Sequence, residues 1–131
     1  MHDLRHLAGD APRVMVVDGS KLVRRLIGDV LRQSLAGVEV VECTGLVDAV
    51  AALDAAPVDL VSTALALPDG DGLQLARRVR EAAGQRYVPV IVVSGDAQSH
   101  LEARRFTEDV TDHFDKALGH RALAEFIRGY V

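Results

Sequence analysis

Three stretches of this chain, residues 13–18, 58–65 and 88–93, are rich in Val, Ile, Leu and Met. Side chains along a strand alternate between its two faces, so a continuous apolar run means burial on both sides. Between and after these runs, apolar residues recur at helical spacing. Leu22, Leu26 and Val30 recur at four-residue steps, with Val23, Ile27, Leu31 and Leu35 beside them, and Ser20 is placed to cap that helix. Leu46, Val50 and Leu53 mark a short second helix closed by Pro57, and Leu75 and Val79 sit on a third. Strands that alternate with helices require a parallel sheet covered on both faces, joined by right-handed crossovers.

Two further strands are predicted at 38–43 and 110–115. They carry Glu39, Glu42, Asp112 and Asp115, which suit sheet edges. A fourth helix with an irregular stripe of Ala97, Leu101 and Phe106 precedes the last strand. Leu123, Phe126, Ile127 and Tyr130 define a closing fifth helix. With the charged strands outside, the order is 2-1-3-4-5. That is a single doubly wound (βα)5 domain of flavodoxin-like α/β arrangement. Residues 1–12 read as an N-terminal extension and 13–131 as the domain.

The 131 residues suit one domain, and no apolar run approaches the ~20 residues needed to span a bilayer. No secretory signal opens the chain, since Asp3, Arg5 and Asp10 interrupt its start. A cytoplasmic location is the expectation. The formal net charge of −4 argues against nucleic-acid binding. The pairs Arg24-Arg25, Arg77-Arg78 and Arg104-Arg105 read as solvated helix faces. The lone Cys43 follows Val40 and Val41, so it reads as a buried structural thiol.

In open parallel sheets the ligand site lies at the carboxyl ends of the central strands. Those ends are Asp18-Gly19-Ser20, residues 64–71, and Ser94-Gly95-Asp96, with Lys116 after the fifth strand. The segments Val16-Val-Asp-Gly-Ser-Lys-Leu-Val-Arg-Arg25, Leu67-Pro-Asp-Gly-Asp-Gly72, Pro89-Val-Ile-Val-Val-Ser94 and Lys116 resemble, in order and spacing, the receiver domain of two-component response regulators, of the chemotaxis-regulator kind.

That resemblance implies a definite chemistry. An aspartate ending the third strand takes a phosphoryl group from a histidine kinase. Two acids after the first strand help it hold Mg²⁺, a Ser or Thr ends the fourth strand, and a lysine follows the fifth. Asp18, Ser94 and Lys116 match, but the second acid position is Gly19 and the phosphoacceptor position is Ala64. The aromatic switch position is His113, and the residue after the lysine is Ala117 instead of proline. A methyl group cannot form an acyl phosphate. One carboxylate is a poor site for a hard cation, so Mg²⁺ binding is expected to be weak or absent and no other cofactor is implied. Asp18 and Lys116 are expected to pair directly, and the Lys116–Ala117 bond to be trans.

Asp69 and Asp71 are the obvious substitute acceptors, but turn residues are the plainer reading of both. Asp96 reads as a helix cap, and His2 and His6 as part of a terminal tail. His113 reads as either an inert edge histidine or a pH-sensitive switch. No glycine-rich phosphate loop surrounds Ser20 and Lys21. The expected function is therefore an atypical receiver: a non-enzymatic interaction module independent of phosphorylation. Its partner would be a histidine kinase, another regulator or an output domain. A homodimer through the fourth helix, fifth strand and fifth helix is a further expectation, with Arg104, Arg105, Asp109, Asp112 and Arg121 available for pairing. The alternatives are a working phosphorelay receiver with another acceptor, or an anion or small-molecule sensor at the same pocket. The chain is either a stand-alone regulator or the front end of a longer protein.

Overall fold

The computed structural model describes residues 11–82, 87–95 and 108–131. Five strands form one parallel sheet: β1 (Arg13–Val17), β2 (Glu39–Cys43), β3 (Leu60–Ala64), β4 (Val90–Ser94) and β5 (Asp112–Asp115). Their order across the sheet is β2-β1-β3-β4-β5, as the charge pattern of the strands requires. The inner strands are buried nearly throughout, whereas Glu39 and Glu42 on β2 and Asp115 on β5 reach solvent. β4 begins two residues later than the apolar run. Pro89 has no N–H to give, so regular pairing starts at Val90.

Alternation along β1 divides the core in two. Val14 and Val16 face α1 (Lys21–Ser34) and the closing helix (His120–Arg128), where Ile27, Leu31, Leu123 and Ile127 are buried. Met15 and Val17 face α2 (Leu46–Ala55) and α3 (Gly72–Glu81), against Ala49, Leu53, Leu75 and Val79. Each fully buried Leu or Ile in these layers contributes roughly 1.5–3 kcal/mol. Ser20 caps α1 as its position suggests, its Oγ accepting from the Val23 N–H at 3.2 Å. The fourth helix expected around Ala97, Leu101 and Phe106 lies outside the described residues, as do Asp96, Arg104, Arg105, His2 and His6.

A short antiparallel hairpin, Ala66–Leu67 with Gly70–Asp71, follows β3 and leads into α3. Asp71 caps that helix through a reciprocal pair with Gln74, at 2.8 and 2.9 Å. Gly72 presses against the end of β3. Its N–H donates to the Leu65 carbonyl at 2.7 Å, and a Cβ there would stand 2.6 Å from the Ala64 carbonyl oxygen. Gly28, inside α1, differs: its nearest obstacle is the flexible tip of Arg32, at 3.2 Å.

These two glycines should respond to alanine with opposite signs. Gly72→Ala should destabilise by roughly 1–3 kcal/mol, because the obstacle is backbone. Gly28→Ala should be neutral or stabilise by up to about 1 kcal/mol through helix propensity. Urea unfolding of both variants checks this.

Candidate functional site

The in-register sheet brings four strand ends to one rim. Val17 is level with Thr63, Ala64 with Val93, and Ser94 with Asp115. At this rim lies a pocket of about 230 Å³. Asp18, Ala64, Ser94 and Lys116, singled out from sequence, all line it. Gly19 lies beside Pro68, and His113 sits on β5 one residue from Phe114, which lines the pocket while His113 does not. The pocket also takes in residues that sequence reasoning missed: Val23 and Ile27 from α1, Phe114 from β5, and Gly119, His120 and Leu123 around the start of the closing helix. Ile27, Phe114 and Leu123 belong to one core layer, so the pocket's inner wall is the open end of that layer. A helical stripe marks such residues as core in the sequence, with nothing to show that the core opens there.

The expected Asp18–Lys116 ion pair does not form. Asp18 Oδ1 instead accepts the Ser20 N–H at 2.8 Å, and no Lys116 nitrogen comes within 4.0 Å of it. The local bond closes a loop of two residues, whereas an exposed ion pair is worth only about 0–1 kcal/mol. Lys116 is exposed and its stem runs beside Gly95, with Cβ and Cδ 3.6 Å from where a Gly95 Cβ would stand. The Lys116–Ala117 bond is trans, as expected. A single 3₁₀ turn, Lys116–Leu118, follows it, with Asp115 Oδ1 accepting the Ala117 N–H at 2.9 Å. Gly119 then enters the closing helix at φ 92° and ψ 164°, a conformation essentially confined to glycine.

Arg24 is not the solvated residue its neighbourhood suggests. Its guanidinium donates to the Asp18 carbonyl at 2.6 Å and faces Glu42 at 3.6 Å, so it braces the strand end that carries Asp18. Arg77 and Arg78 do lie on an exposed face. Cys43 is buried, and desolvation, helped by Asp48, pushes its thiol up to about 11. Asp112 Oδ2 accepts from the Tyr130 hydroxyl at 2.8 Å, which occupies that oxygen within the domain.

Asp69 has a role beyond its own turn. Its two carboxylate oxygens accept the Leu46 and Val47 N–H groups at 2.7 and 3.0 Å, capping α2 from a distant loop. Gly45 begins α2 without a side-chain cap, and a Cβ at Gly45 would collide with Asp69 Oδ1. These bonds hold the Asp69 carboxyl below its ordinary value of 3.8. Among the described residues, no cluster of three His, Cys, Asp or Glu side chains is placed to hold a metal ion. No helix among them is long and apolar enough to cross a membrane.

A five-stranded doubly wound parallel sheet with a pocket at its carboxyl rim is a flavodoxin-like α/β fold, and similarity to known proteins narrows it further. Residues 14–128 match the response regulator receiver domain, and the chain belongs to that family. It is 31% identical over 103 residues to the two-component response regulator ORR3 of Oryza sativa subsp. indica, covering 79% of this chain and 77% of ORR3. It is 27% identical over 120 residues to the signal transduction histidine-protein kinase BarA of Shigella flexneri. That match covers 92% of this chain but spans only 13% of the kinase's length. The chemotaxis protein CheY4 of Vibrio cholerae shares the fold, with a TM-score of 0.80 at 19% identity, over 92% of this chain and 99% of that one.

The Asp69 cap should be visible in acid. A carboxyl held down in the folded state adds stability above its unfolded value, and that stability is lost as pH falls through the folded value. Asp69→Asn should therefore lower the thermal midpoint at neutral pH. The gap from the wild type should close as pH drops below the ordinary value of 3.8, which scanning calorimetry across pH would read directly.

Proposed function

We propose that this receiver domain works without phosphorylation, as a non-enzymatic regulatory module of a two-component pathway that acts through protein contacts in the cytoplasm. The observation that carries this reading is the Ala64 methyl group at the end of β3, level with Val93 and one residue short of the Ser94 position. It occupies the place where the family resemblance calls for the phosphoacceptor carboxylate. A methyl group offers no lone pair to attack phosphorus.

Two further observations support the reading. The donor set does not fit Mg²⁺, because among the described residues Asp18 is the one carboxylate lining the pocket and hard cations need several oxygen ligands. At Gly19 a Cβ would lie 3.1 Å from the Pro68 ring, so an acid there requires the following loop to give way. The two hairpin carboxylates that could substitute as acceptors are engaged elsewhere. Both Asp69 oxygens are engaged on α2, and Asp71 Oδ1 caps α3. Phosphorylation of either would remove a helix cap.

Partner choice follows from the relatives. BarA is a histidine kinase of which the match covers a small part, and ORR3 is a response regulator. A kinase or another regulator is therefore the proposed partner. Self-association through β5 and the closing helix would draw on Asp109 and Arg121, since one Asp112 oxygen is held by Tyr130.

An amide NMR titration with Mg²⁺ and beryllofluoride, the mimic of a phosphorylated aspartate, tests the reading. The expected result is no saturable shift at Ala64, Ser94 or Lys116 at low millimolar Mg²⁺. Saturable shifts there would overturn it and restore a phosphorelay role.

A further inference from the structure

The pocket is not an empty anion cradle, because its two parts have different chemistry. Among the described residues its rim carries one carboxylate, Asp18, and one ammonium, Lys116, which do not neutralise each other, with Ser94 and His120 beside them. Its inner wall is apolar, built from Val23, Ile27, Phe114 and Leu123. A simple anion would be drawn to Lys116 and repelled by Asp18, and a simple cation the reverse. Either would leave the apolar wall without a partner of its own kind. The complement of such a site carries both charges and an apolar tail. At about 230 Å³ the pocket is smaller than the ~300–1,000 Å³ usual for drug-sized ligands, which limits that tail to a few carbons.

We propose that the pocket binds a small zwitterion with an apolar side chain, an α-amino acid of leucine size. The ligand carboxylate meets Lys116, its ammonium meets Asp18, and its side chain rests on Val23 and the open end of the core layer between α1 and the closing helix. Charge-assisted hydrogen bonds at both ends would give orientation, and burial of the side chain would give selectivity over glycine. Because Val23 and Leu123 belong to the two helices that flank the opening, an occupied pocket would bind α1 to the closing helix more firmly. The proposal rests on the reading that no phosphoryl group uses this pocket, and it supplies the input that such a receiver otherwise lacks.

The test is an amide NMR titration of the full chain with L-leucine. 4-Methylpentanoate, which lacks the ammonium, and 3-methylbutylamine, which lacks the carboxylate, serve as comparisons. Saturable shifts at Ala64, Ser94 and Leu123 are expected with leucine, and each single-charge analogue should bind about tenfold more weakly, a loss typical of one charged hydrogen bond. Asp18→Asn, which keeps an acceptor for the Ser20 N–H, and Lys116→Met should each weaken leucine binding to a similar degree. If either variant fails to fold, the analogue series on the wild-type chain decides alone. No saturable shift with leucine, or equal binding of either analogue, overturns the zwitterion assignment. Neither result touches the phosphorylation-independent reading, which only the beryllofluoride titration can overturn.

Discussion

The parallel pairing of β1 with β2 and β3, and of β3 with β4, governs the rest of the molecule. A parallel strand pair has no tight turn to set its register, so side-chain burial on both faces must do it. Val14, Met15, Val16 and Val17 are all buried, two toward each layer. A slip of one residue would send each of them to the wrong side. That constraint keeps the strand ends level. It also explains how residues as far apart in the chain as Asp18, Ala64, Ser94 and Lys116 line a single pocket.

The same constraint made the fold readable from sequence. Apolar-rich runs mark the inner strands, with only Ser62 and Thr63 of β3 as buried polar interruptions short of Ser94, and charged residues mark the outer ones, because water reaches only the edges of a sheet covered on both faces. Local chemistry was readable as well: Ser20 caps α1, and the Lys116–Ala117 bond is trans. Contacts between segments were not. Asp69 looked like an ordinary turn residue, and the helix whose N–H groups it holds starts more than twenty residues earlier. Arg24 looked solvated, since nothing in its helix shows that the Asp18 carbonyl lies within reach.

Charge alone favours a pairing of Asp18 with Lys116, but the backbone competes for the carboxylate. An N–H two residues away is always nearby, whereas a lysine on another strand must give up hydration and side-chain freedom to reach across. The outcome leaves both charges in the pocket lining, with Arg24 bracing one and Gly95 flanking the other. The apolar half of the pocket was hidden for another reason. Ile27, Phe114 and Leu123 carry the ordinary signature of core residues, and periodicity says which face is buried without saying where burial ends.

The contact between Gly45 and Asp69 has a consequence for how this protein can change. The bare backbone at 45 makes room for the carboxylate from the neighbouring loop, and that carboxylate in turn supplies the cap that the helix start lacks. Neither residue is suited to its place without the other. A chimera that imports either the helix start or the loop from a relative will inherit half of a matched set. A side chain at 45 would displace the carboxylate that caps the helix, so the two positions are coupled across two distant stretches of chain.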